Sequence, residues 1–169
     1  MEEKRLSRGT PETMKFIKDI LTHPYLALVF RFYIAGLFIY ASMYKINYTA
    51  EFAQTIASYE LVPYWAVNVS AVTLPWVELI CGILLATGIR VRSATLLIGI
   101  LLTLFTTAIL INLLRDSPIS CGCFHTLEDA ISWRTFFRDI FWLLMAAHVF
   151  LFDRVLHLER KFTLVLKEV

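Results

Sequence analysis

Two cysteines separated by a single glycine, Cys121-Gly122-Cys123, stand in the polar stretch "RDSPISCGCFHTLED" from Arg115 to Asp129 of a 169-residue chain. A one-residue spacer brings two sulfurs within bonding range only where the backbone turns. Gly122 supplies that freedom, because a residue without a Cβ takes positive φ at no steric cost. The disulfide closed by so short a spacer is a small, strained ring. Strained and exposed disulfides have higher reduction potentials and exchange readily, whereas a stabilising cross-link gains most by closing a long loop. The spacing therefore favours a disulfide that opens and closes. Reactivity also needs a thiolate, which nearby positive charge favours. Arg115, Arg134 and Arg138 flank this stretch, and Asp139 follows Arg138, so Arg115, Arg138 and Asp139 are the candidates for shaping the thiol environment.

His125 adds a second chemistry. Cys121, Cys123 and His125 form Cys-x-Cys-x-His, and thiolate with imidazole suits zinc or copper. A closed zinc site takes four ligands, and the chain holds no second cysteine pair, so Glu128, Asp129 or a partner would have to complete it. The third cysteine, Cys81, lies in an apolar run and reads as a small buried hydrophobe.

The elements that position this stretch are membrane helices. The chain is 58% hydrophobic and 18% charged, against roughly 45–50% apolar in ordinary soluble domains. Its net charge of +2 gives no footprint for nucleic acid. From Ser93 to Leu114, "SATLLIGILLTLFTTAILINLL" carries no charge and no polar face, which meets the roughly 18 apolar residues of a spanning helix. Three further apolar segments are interrupted by polar groups. Residues 25–43 contain Arg31, residues 65–88 contain Pro75 and Glu78, and residues 133–153 contain Arg134, Arg138, Asp139 and His148. The expected fold is an all-α membrane protein, a bundle of four transmembrane helices over residues 25–153 with short interfacial helices.

Basic residues set the expected orientation. Lys4, Arg5, Arg8, Lys15, Lys18, Arg90, Arg92, Arg154, Arg160, Lys161 and Lys167 fall on one side, and Lys45, Arg115, Arg134 and Arg138 on the other. Both termini are expected in the cytoplasm and the cysteine loop, residues 115–132, on the oxidising outer side, where a disulfide persists. No short apolar core precedes a cleavage site, so the first span is expected to act as an uncleaved anchor. Residues 1–24 are read as a cytoplasmic segment with an amphipathic helix on the membrane surface, capped by Thr10 with Pro11 in its first turn. Residues 154–169 are read as a cytoplasmic tail. In the outer loop after the first span, Phe52, Ile56 and Tyr59 recur at helical spacing and predict a short helix ending before Pro63.

Charges inside a bilayer cost roughly 2.5–3.5 kcal/mol on the insertion scale, so they pair or serve. Arg31 and Glu78 are expected to pair with each other. His148, deeper in the fourth span, is the candidate contact for a quinone or a proton, with an interhelical hydrogen bond as its structural role. No matching second histidine points to haem.

The order Arg31, "YKI" with Lys45, "YELVP", "LPWVELICGILLATG", "SCGCF", and Trp133 with Arg138-Asp139 resembles the MauE/DoxX group of small four-span membrane proteins. The resemblance implies a redox-associated protein of the bacterial inner membrane. It implies help in maturing a disulfide-rich periplasmic enzyme beside a thioredoxin-like partner, or a link to quinone-coupled sulfur chemistry. The family pattern usually continues Cys-Gly-Cys-Phe-Gly, and this chain has His125 at the last position. Three readings stay open: a thiol–disulfide redox protein, a non-catalytic anchor or assembly subunit of a larger redox complex, and a copper or zinc carrier through Cys121, Cys123 and His125.

Overall fold

A computed structural model describes residues 24–115 and 132–153. The segments read as a surface helix, a cysteine loop and a tail lie outside the described residues. The elements are α1 (Pro24–Asn47), α2 (Thr49–Ser58), α3 (Tyr64–Thr87), α4 (Val91–Leu114) and α5 (Trp133–Phe152), with no strand among the described residues. Four of them, α1 and α3 to α5, are long and apolar enough to cross a membrane. At about 1.5 Å per residue each reaches or exceeds the roughly 30 Å hydrocarbon core. The all-α, four-span architecture expected from composition is the one observed.

Each long helix turns one narrow stripe inward. On α3 the buried positions are Val67, Ala71, Pro75, Glu78, Cys81, Gly82 and Leu85, and on α4 they run from Val91 through Thr95, Ile98, Leu102 and Ile109 to Asn112. These spacings of three and four are the seam of one helix against its neighbours. The remaining faces are apolar too and point outward, among them Trp76, Ile80, Leu96, Ile100, Phe141 and Leu144. Such a surface suits lipid and not water. Hydrophobicity therefore does not mark the inside of this bundle; polar and small residues do. The buried set includes Arg31, Ser42, Lys45, Glu78, Thr95, Asn112, Asp139 and Asp153.

α1 packs along α3 and α5, and α4 along α5 and α3, which closes a four-helix ring. α2 follows α1 almost without a break, since the Tyr48 and Phe52 N–H groups donate to the carbonyls of Tyr44 and Tyr48. It then folds onto α3, with Phe52 and Ile56 against Val67 and Ala71. The Tyr44 hydroxyl donates to Glu51 at 3.0 Å and ties α2 to the end of α1. At the other end of the ring, α3 stops at Gly88, whose φ of 77° is left-handed. The N–H groups of Gly88 and Ile89 both donate to the Leu84 carbonyl, which satisfies a carbonyl the helix end would orphan.

The register of α1 on α3 is set by a close approach at Gly82. A Cβ there would lie 2.9 Å from Ile39 Cγ1 and 3.3 Å from the backbone carbonyl oxygen of Ala35. The Ile39 side chain can yield but the Ala35 backbone cannot without moving α1. Gly82→Val is therefore expected to cost about 1–3 kcal/mol, the usual range for overpacking. Thermal unfolding of the detergent-solubilised protein would register this as a lowered midpoint.

Candidate functional site

The close approach at Gly82 decides which charges meet. With Gly82 level with Ala35 and Ile39, the antiparallel register puts Glu78, one turn along α3, beside the last turns of α1. Helix side chains lean toward their own N-terminus, so Lys45 in the last turn of α1 reaches back into the bundle. Its Nζ donates to both carboxylate oxygens of Glu78 at 2.8 Å. Both side chains are buried, at 6% and 9% exposure. The ammonium also lies over the rings of Phe52 of α2 and Phe105 of α4, at 5.0 and 5.4 Å from their centroids. A desolvated cation held this way gains from two ring faces as well as from the carboxylate.

The expected Arg31–Glu78 pair is not formed. Arg31 stands four turns below Lys45 on the same helix, about 21 Å along its axis, level with the end of α5. There its Nη1 donates to Asp153 Oδ2 at 3.1 Å, both groups being almost fully buried. Among the described residues a buried ion pair thus stands toward each end of the bundle. Neither partner follows from the expected spans, since the first ends at Met43, before Lys45, and the fourth has Asp153 as its last residue. In fact α1 continues to Asn47, and Asp153 caps α5 directly.

At the end that carries α2, a second carboxylate approaches the same space. Asp139 lies in the second turn of α5 and is 2% exposed. Its Oδ1 accepts from Nε and Nη2 of Arg138, both at 3.3 Å. These bonds are long because neighbouring residues on a helix do not face each other. The Arg138 guanidinium, about one-third exposed, lies over Trp142 at 4.7 Å. Tyr59, just past α2, is buried against Phe105 and Ile109. Burial pushes its hydroxyl well above the usual tyrosine range, and the charge of Asp139 adds to the effect.

Lys45, Glu78 and Asp139 line a cavity of about 50 Å³ at the centre of the ring, walled by Phe38 and Ala41 of α1, Leu102 and Phe105 of α4, and Trp142 of α5. Sequence alone does not place Lys45 at this site; its partner lies on α3, and only the packing joins the two to Asp139 of α5.

Of the other residues singled out, Arg115 ends α4 with an exposed side chain, and Arg134 is exposed in the first turn of α5. Together with Arg138 they stand at the two helix ends that the 116–131 segment joins. Asn112 is buried and donates to the Ala108 carbonyl. Cys81 is a buried free thiol. Cys121, Gly122, Cys123 and His125 lie outside the described residues, as do Asp116, Glu128 and Asp129. Among the described residues no group of His, Cys, Asp and Glu could hold a metal.

His148 sits between the rings of Phe30 and Phe152, at 5.3 and 4.9 Å, and lines neither the central cavity nor the outer groove between α4 and α5. The described residues do not fit a quinone. The central cavity has room for about one water, whose share of liquid volume is about 30 Å³. The α4–α5 groove, of about 540 Å³, is large enough. Its buried and exposed threonine hydroxyls, Thr95 and Thr103, both donate to carbonyls of their own helix, which leaves little to orient a quinone oxygen.

Four membrane-length helices, a short helix folded onto one end and two ion pairs sealed inside define a polytopic membrane protein with a charged interior. The chain belongs to the MauE family: the family model described as "Methylamine utilisation protein MauE" matches residues 23–152, which takes in all four long helices and the Cys-Gly-Cys segment. "Methylamine utilization protein MauE" of Paracoccus denitrificans is 32% identical over 125 residues, covering 72% of this chain and 67% of that protein. The protein of the same name from Methylorubrum extorquens is 31% identical over 119 residues, covering 69% and 64%. That from Methylophilus methylotrophus is 32% identical over 109 residues, covering 63% and 57%. The matched part of the chain thus spans about two-thirds or less of these relatives' lengths. No solved structure matches the chain.

Proposed function

We propose that the protein is a thiol–disulfide redox protein of the bacterial inner membrane, working through Cys121 and Cys123 on the outer side in the maturation of a periplasmic enzyme. The observation that carries this reading is the Cys-Gly-Cys pair itself, in the one connection between α4 and α5, within the stretch shared with the MauE family. The relatives' names tie them to methylamine utilisation, which supports an accessory role beside a periplasmic enzyme. The partner is a thioredoxin-like or disulfide-rich protein.

The exchange balances within two dithiol–disulfide couples. A thiolate of the reduced pair attacks one sulfur of the partner's disulfide, whose S–S bond breaks as a mixed disulfide forms. The second cysteine then attacks the mixed disulfide. The intramolecular S–S bond forms, and the partner leaves as a dithiol. Two electrons and two protons pass from this pair to the partner, and the reverse sequence oxidises the partner instead. Arg115, Arg134 and Arg138, at the ends of α4 and α5, supply positive charge beside the attacking sulfur. Both termini and the α3–α4 turn then face the cytoplasm.

The test is sided labelling. In intact spheroplasts treated with a reductant, a membrane-impermeant maleimide is expected to modify Cys121 and Cys123, and without reductant to leave them unmodified. Modification only after the membrane is permeabilised would put the pair on the wrong side and end this reading.

A further inference from the structure

The central cavity has a property that the redox reading does not use. Two carboxylates, Glu78 of α3 and Asp139 of α5, face one space of about 50 Å³ that contains a single ammonium, Lys45 of α1. Lys45 is committed to Glu78, with both carboxylate oxygens at 2.8 Å. Asp139 is held only at the long range of 3.3 Å by Arg138, whose guanidinium is turned toward Trp142 and partly exposed. Among the described residues the remaining neighbours do not add charge. α4 contributes only Leu101, Leu102 and Phe105 to the lining, and the nearby Tyr59 hydroxyl stays neutral across physiological pH. Two carboxylates that share a water-sized, low-dielectric space do not both ionise freely. The three charged side chains in an otherwise apolar lining, with the volume, suit one water, which needs two to four polar partners.

We propose that this cavity is a buried proton-binding site: Lys45, Glu78 and Asp139 enclose one water, and the pair of carboxylates takes up and releases one proton through it. In uptake the proton adds to a carboxylate oxygen to give a carboxylic acid, and no electron moves. The inference stands independently of the cysteine chemistry.

Infrared spectroscopy of the full chain in lipid vesicles tests it. As the pH is lowered from alkaline to mildly acid, a carboxylic acid C=O band is expected to grow in. That band should disappear in Asp139→Asn or in Glu78→Gln. In Asp139→Glu, which keeps a carboxyl and guards against a variant that fails to fold, it should persist or shift. The proposal is overturned if no titrating band appears in the unsubstituted protein, or if the band survives both Asp139→Asn and Glu78→Gln unchanged.

Discussion

Lys45→Met is expected to destabilise the bundle by about 3 kcal/mol, whereas Lys45→Met with Glu78→Leu is expected to lose much less. The single change leaves a carboxylate buried with no cation. Breaking one side of a buried pair costs about 3–5 kcal/mol, and the lower end applies here because neither side chain is completely sealed from its surroundings. The double change removes both charges, and an apolar pair of similar volume in a buried site is often neutral or stabilising. The ring faces of Phe52 and Phe105, which hold the Lys45 ammonium at 5.0 and 5.4 Å, would pack as well against a methionine. Denaturant titration of the detergent-solubilised single and double variants gives the coupling directly. A double variant as unstable as the single one would mean that the ion pair is not what the site loses.

The largest functional effect is expected at the cysteines. In the proposed mechanism either Cys121→Ser or Cys123→Ser removes one half of a two-sulfur cycle, so maturation of the partner enzyme should fall to background while the protein still inserts. His125→Ala separates the metal reading. It should have little effect on redox exchange, yet would match the cysteine variants if three ligands were carrying copper or zinc. An assembly subunit would instead show weakened association in the double cysteine variant with electron transfer intact. Counting the partner's correctly formed disulfides in cells carrying each variant distinguishes the three outcomes.

How much of this was legible in the sequence depends on which interactions are local. The uncharged run from Ser93 to Leu114 declares a spanning helix on its own, and the spacing of Phe52, Ile56 and Tyr59 marks the short helix whose buried face they form. That Arg31 and Glu78 would be buried and paired also follows from the cost of bare charge in a bilayer. Their partners do not follow. Partner choice depends on the register between antiparallel helices, which a backbone approach at Gly82 fixes, and on whether a helix runs one turn further. Ending the first span at Met43 leaves Lys45 in a loop, and extending it to Asn47 turns the same side chain into the bundle. The convergence of Asp139 on the Lys45 site is tertiary in the same way, since four separate helices supply the walls of one water-sized space.

The most direct test of the redox reading is capture of the exchange intermediate. Membranes from cells carrying Cys121→Ser or Cys123→Ser would be acid-quenched and resolved without reductant. The account predicts that one of the two variants accumulates a covalent adduct with a soluble protein of the outer compartment, released by reductant and absent when both cysteines are replaced. Failure of both single variants to form an adduct, with the unsubstituted pair locked in a disulfide that neither reductant nor protein thiols open, would contradict it.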